Sequence, residues 1–187
     1  MTAILDLPEV RQRISPLTVE EYGRLDEFNE NGKRTELIRG IVIEKMSKSP
    51  LHASIVIRLV ELMSPLLPDG FHARQDQPLE FADSVPEPDF ALVRGLRKDF
   101  AQKHPTAAAL VVEVAFSSVA LDREMALLYA EAGVDEYWII LTKEQAVEVY
   151  RHPVDGVYQE KTLLASHDAL NCMGVPGLRV SVSEIFA

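Results

Sequence analysis

Two acids stand where the sequence otherwise reads as buried strand. Glu113 interrupts the apolar run Ala107-Ala-Ala-Leu-Val-Val-Glu-Val-Ala-Phe116, and Asp89 opens a second apolar stretch after Val85-Pro-Glu-Pro88. An ionised carboxylate in a protein interior is costly unless it is paired, hydrogen-bonded or bound to a metal. Two such strands suggest one shared site. A divalent cation held by both groups would remove their mutual repulsion and their desolvation cost together. A third acid, Glu36, lies in the first arm of an expected hairpin, and His52 falls in the first turn of an expected helix. For each there is a plainer role. Glu113 can pair with Arg39 or Arg123, Asp89 can cap the turn after Pro88, Glu36 can be solvated at a strand end, and His52 can be an ordinary helix histidine.

The elements that must position these groups follow from periodicity and turn chemistry. Thr18-Val-Glu-Glu21 has capping-box spacing and predicts a helix to about Phe28, closed by Asn29 to Lys33. Thr35 to Met46 reads as two strands turning at Arg39-Gly40. Apolar Ile55, Leu59, Leu62 and Leu66 recur at helical spacing over Leu51 to Leu67, with Pro65 as a kink or stop and Pro68-Asp-Gly70 as the end. Phe71 to Phe81 predicts two extended pieces broken at Pro78, followed by a strand from Pro86 to Arg94. Arg94 to His104 reads as a loop or short exposed helix, whose Arg94, Arg97, Lys98 and Lys103 could form a basic patch beside Asp89 or simply be solvated.

Beyond Phe116 the pattern is strand, helix, strand. Asp122 is placed to cap a helix from Arg123 to Ala132, Gly133 ends it, and Val134 to Leu141 is strongly apolar, so the two strands should be parallel neighbours. Ala146 to Arg151 and Gly156 to Leu163 then form an antiparallel hairpin at the sheet edge, and Val182 to Phe186 a final helical turn. The expected fold is α/β: a mixed β-sheet flanked by α-helices, with an N-terminal hairpin and a C-terminal edge hairpin, over a single domain spanning residues 1–187 after an irregular segment 1–17.

Composition limits the function. The chain has 187 residues, 47% of them hydrophobic and 26% charged, as expected of a globular protein with a real core. Its apolar runs are strand-length, which predicts no membrane partner, and no signal peptide is expected. One cysteine, Cys172, excludes an internal disulfide framework and a cysteine-rich zinc site, and fits a reducing cytoplasm. Formal net charge is −10, the opposite of a generic DNA-coating protein. A nucleic-acid role must therefore use a local basic patch, metal ions or a partner. Tyr137 and Trp138 are expected in the core or at a partner surface, and the edge hairpin suits a homodimer.

Several fragments, in this order and spacing, resemble the Uma2 family of restriction-endonuclease-like proteins, a branch of the PD-(D/E)XK nuclease superfamily. They are Glu36-Leu-Ile-Arg-Gly40, His52 after a Ser- and Pro-bearing turn, Glu87-Pro-Asp89, Val111-Val-Glu-Val114, and Tyr129-Ala-Glu-Ala-Gly-Val-Asp-Glu-Tyr-Trp138. The resemblance implies a nuclease that hydrolyses nucleic-acid phosphodiester bonds, DNA being the expected substrate. It implies Mg²⁺ or Mn²⁺ held by Asp89 and Glu113, with Glu36 completing the acidic set of catalytic residues. One departure matters. The superfamily's lysine two residues past the strand acid is Ala115 here, and the family's helix pattern with lysine reads Asp122-Arg-Glu-Met-Ala-Leu-Leu-Tyr129, one residue short and without lysine. Arg123 and Lys161 are the candidate substitutes. The alternative is a cleavage-deficient relative acting as a binding or assembly module, or a structural protein whose acids only make ion pairs.

Overall fold

The computed structural model describes residues 7–27, 32–45 and 47–187. Contacts divide the chain into two compact units, Met1–Met46 with Ala82–Pro86, and Ser47–Phe81 with Glu87–Ala187.

The first unit is built on a hairpin. Strands β1 (Thr35–Ile38) and β2 (Ile41–Glu44) pair antiparallel with Leu37 opposite Val42. Arg39 and Gly40 connect them with φ of 53° and 74°, the two-residue turn whose twist matches a hairpin. Glycine is required at position 40 for a second reason: a Cβ there would stand 2.3 Å from the Pro16 Cβ. Helices α1 (Pro8–Arg11) and α2 (Val19–Glu27) precede the hairpin. The capping box expected at α2 is present: Thr18 N donates to Glu21 Oε2 at 2.8 Å and Glu21 N to Thr18 Oγ1 at 3.2 Å. The expected end near Phe28, the stretch through Asn31, and Met46 lie outside the described residues. Leu37, Tyr22 and Val85 form a small core, and Val85 N donates to Leu37 O at 2.7 Å, tying the returning segment to the hairpin.

The second unit carries a six-stranded mixed sheet in the order β3-β4-β5-β6-β7-β8. Its strands are β3 (Phe71–Gln75), β4 (Phe90–Arg94), β5 (Leu110–Ala115), β6 (Glu136–Leu141), β7 (Ala146–Val154) and β8 (Val157–Leu164). All neighbours are antiparallel except β5 and β6, which run parallel through the crossover helix α4 (Val119–Glu131), as the pattern predicted. Helix α3 (Pro50–Met63) and the final α5 (Val182–Ile185) cover one face, where Ile55, Leu59 and Met63 pack with Val112, Val114, Trp138, Ile140 and Val147. The other face carries α4, with Tyr129 against Tyr137 at 4.8 Å between ring centroids and Tyr137 against Tyr150 at 5.7 Å. The mixed sheet with flanking helices matches the fold expected from sequence.

Local boundaries differ for identifiable reasons. Pro65 ends α3 as an α-helix at Met63, and Ser64–Leu66 continues as a 3₁₀ turn. The stretch after Pro78 is not a strand, because its backbone bonds a loop instead, Glu80 N donating to Pro105 O at 2.9 Å. Helix α4 begins at Val119, so Asp122 is not its cap. Asp122 lies in the first turn, where the helix dipole favours an acid, and its Oδ2 accepts from Ser118 Oγ at 2.7 Å. A short hairpin of β9 (Ala169–Asn171) and β10 (Arg179–Ser181) was not foreseen. Three-residue strands are too short to show a period.

Candidate active site

Register brings the two strand acids together. Phe90 lies opposite Val112, so the antiparallel pairing of β4 and β5 carries Asp89 opposite Glu113. Both groups stand at the carboxyl end of β5, next to its parallel neighbour β6. Open α/β sheets commonly bind ligands there.

Each carboxylate is held by several donors. Asp89 is 5% exposed; its Oδ2 accepts from Val114 N at 2.9 Å and lies 2.8 Å from His52 Nε2. Its own N–H donates to Glu113 Oε2 at 3.3 Å, and Tyr129 Oη donates to Glu113 Oε1 at 2.9 Å. His52 is aimed by α3, whose cap Ser49 accepts from His52 N at 3.2 Å. Burial alone would raise the Asp89 pKa. The His52 hydrogen bond, the Lys48 charge and the Val114 N–H outweigh it and hold the carboxyl well below the usual range. Asp89 is therefore ionised, so Nε2 of His52 carries the proton in their hydrogen bond, while the buried Nδ1 has no partner.

The cation at this site is one the sequence did not single out. Lys48 Nζ stands 2.9 Å from Asp89 Oδ1 and also pairs with Asp76, whose φ of 52° is unusual for a residue with a side chain. Asp76 N in turn donates to Asp89 O at 3.3 Å. The two substitutes named from sequence meet a different acid. Arg123 Nε lies 3.1 Å from Glu148 Oε2 and Lys161 Nζ 2.9 Å from the same oxygen, so both are engaged by a third acid. The signal that could have found Lys48 is its position just before the Ser49 cap of α3, four residues before His52.

Other sequence candidates settle as follows. Glu36, in the first unit, lies 3.4 Å from Lys45 Nζ, and Arg39 pairs with Asp83 at 3.6 Å. Arg94 is at the far end of β4 from Asp89 and pairs with Asp135 at 2.7 Å, so it is not part of a basic patch beside Asp89. It helps line a cleft of about 230 Å³ with Asp135, Arg151, His152 and Met173, which contains neither Asp89 nor Glu113. Trp138 and Tyr137 are core residues. Burial pushes the Cys172 thiol up to about 12, which removes it as a nucleophile.

Among the described residues no group of three or more His, Cys, Asp or Glu is arranged to hold a metal ion, and no helix is long and apolar enough to cross a membrane. Two adjacent carboxylates still fit Mg²⁺ or Mn²⁺, since Mg²⁺ is usually bound through one or two carboxylates and keeps several waters. Lys48 Nζ lies against Asp89 Oδ1 at 2.9 Å, so a bound ion would have to displace it from that oxygen.

Comparison with known proteins bears on the fold and the family. A search among curated proteins found no match. A solved structure described as a "putative nuclease belonging to DUF820" from Anabaena variabilis ATCC 29413 superposes with a TM-score of 0.75 at 21% identity, covering 91% of this chain and 98% of that one. At that identity the likeness shows the fold. The profile of the Uma2 family, described as "Putative restriction endonuclease", matches residues 19–183. The chain belongs to the Uma2 family.

Proposed function

We propose that the protein is a metal-dependent nuclease that hydrolyses phosphodiester bonds in nucleic acid, DNA being the expected substrate. The observation that carries this reading is the adjacency of Asp89 and Glu113, joined through the Asp89 N–H, with the Lys48 ammonium against Asp89. Family membership supports the same reaction class.

Asp89 and Glu113 are the residues that would hold Mg²⁺ or Mn²⁺. When bound, the ion supplies Lewis acidity toward a phosphoryl oxygen and lowers the pKa of water. The chain's own groups do the rest. His52 and the Val114 N–H fix Asp89 Oδ2, which leaves Oδ1 as the oxygen turned toward a cation. Tyr129 and the Asp89 N–H contact both Glu113 oxygens and hold that carboxylate in one orientation. Lys48 is the cation that would meet the negative charge developing on the phosphoryl group.

The test is cleavage of plasmid and single-stranded DNA with Mg²⁺ or Mn²⁺, beside Mn²⁺ binding by calorimetry. Metal binding and cleavage that both fail in Asp89→Asn support the reading. Cleavage that persists in that variant overturns the site. A second reading, a cleavage-deficient binding module, is favoured by Lys48 neutralising Asp89 and by Ala115 in place of the superfamily lysine. It predicts metal binding without cleavage.

A further inference from the structure

Glu148 raises a separate question. It is 4% exposed on β7, yet it is served by far more positive charge than one carboxylate needs. Arg123 reaches it through Nε and through Nη2 at 2.5 Å, Lys161 through Nζ at 2.9 Å, and Tyr150 donates its hydroxyl at 2.7 Å. Two cations on one acid leave a net charge of about +1, in a chain whose formal charge is −10. The carboxylate is almost inaccessible, while the Arg123 and Lys161 side chains are 48% and 47% exposed. The acid thus works from beneath as an anchor that holds two exposed cations side by side.

Their place on the sheet gives the pair a use. Glu113 is opposite Ile139 on β6, and Ile139 is opposite Glu148 on β7. Glu113 takes the Tyr129 hydroxyl of α4 and Glu148 takes the guanidinium of α4, so both acids point to the face that α4 covers. Two strand spacings separate them, roughly 10 Å. At the same end of the sheet, Phe116 is 46% exposed one residue past β5, with Lys143 Nζ 5.2 Å from its ring centroid. A strand whose reacting phosphate sits at Asp89 and Glu113 would carry its next phosphates past this strip.

We propose that Arg123 and Lys161, anchored by Glu148, form a phosphate-binding subsite that takes the backbone of a nucleic-acid strand beside the reacting position. This rests on the nuclease reading for the identity of the strand, but not on metal or on cleavage. Backbone contacts of this kind are indifferent to sequence and sensitive to salt.

The experiment is binding of a fluorescently labelled single-stranded oligonucleotide by anisotropy in EDTA, across a salt series. Parent, Arg123→Gln, Lys161→Gln and the charge-preserving Lys161→Arg are compared, with far-UV circular dichroism as the folding control. Lys161→Gln keeps the Arg123–Glu148 pair and so guards against a result that only reports unfolding. Each charge removal should weaken binding by about 3- to 10-fold and lower the slope of log affinity against log salt by about 0.7, with Lys161→Arg close to parent. Parent affinity and slope in both Gln variants, or no binding by the parent, would each overturn the proposal. The nuclease reading is judged separately, by Asp89-dependent cleavage with metal.

Discussion

Lys48 Nζ stands 2.9 Å from Asp89 Oδ1, on the carboxylate oxygen that His52 and the Val114 N–H leave unused. An ammonium and a divalent cation would compete for that oxygen. Replacing Lys48 by Met should therefore raise Mn²⁺ affinity by about tenfold, because removing one unit charge at this distance is worth more than 1 kcal/mol at intermediate dielectric. Cleavage should fall in the same variant, since the charge facing the phosphoryl group is gone. Calorimetry and a cleavage assay on one sample give both readouts. An unchanged metal affinity would show that Lys48 does not stand in the cation's place.

Glu136 is wholly buried and fully served: Trp138 Nε1 donates at 2.6 Å, Arg151 Nε at 2.9 Å and Met173 N at 2.7 Å. Glu136→Ala should destabilise the fold by about 3–5 kcal/mol, because it removes the charge partner of Arg151 and leaves Arg151 Nε and an indole N–H without their acceptor. Metal affinity per folded molecule should not change. Urea denaturation with a metal titration below the transition checks both halves.

The Glu148 carboxyl predicts an acid-sensitive contribution to stability. Burial would raise its pKa, but Arg123, Lys161 and Tyr150 lower it to about 2. A carboxyl whose folded pKa lies below its unfolded value adds stability that is fully present above about pH 4.3 and is lost as pH falls toward 2. Thermal melts between those limits should drop less steeply for Glu148→Gln than for the parent. Identical slopes would contradict the assignment.

Gly40→Ala tests the first unit. A φ of 74° and a Cβ contact of 2.3 Å with Pro16 leave no room for a methyl group without moving backbone. Destabilisation by about 1–3 kcal/mol is expected, read by denaturation. An unperturbed variant would mean that the Arg39-Gly40 turn is not held as described.

The fold was legible because its strongest signals are local. The helical spacing of Ile55 and Leu59 and the crossover from Leu110 to Leu141 follow from period, and the edge hairpin was expected too, although its strands meet at Asp155-Gly156 and not between Arg151 and Gly156. The site was legible only in part. A charged residue in an apolar strand flagged Glu113, but the same logic would flag Glu136 and Glu148, which are more deeply buried and neutralised by arginine. What separates Glu113 is its neighbour Asp89, a fact of register. Lys48 had one local mark, its position just before the Ser49 cap of α3, and that mark does not by itself point to a site. It lies in an irregular segment whose path is set by tertiary contacts, where periodicity gives no guide. Arg123 and Lys161 were named as substitutes for the missing lysine, but both pair with Glu148, two strands from Glu113.

The central claim is that Asp89 and Glu113 together hold a divalent ion that the reaction requires. Its most direct measurement is Mn²⁺ binding by calorimetry on the parent, Asp89→Asn and Glu113→Gln, with DNA cleavage followed in the same buffers. The account predicts one ion bound by the parent, binding lost in both variants, and cleavage lowered by about 1,000-fold or more in each. Metal binding or cleavage at parent level in either folded variant would contradict it.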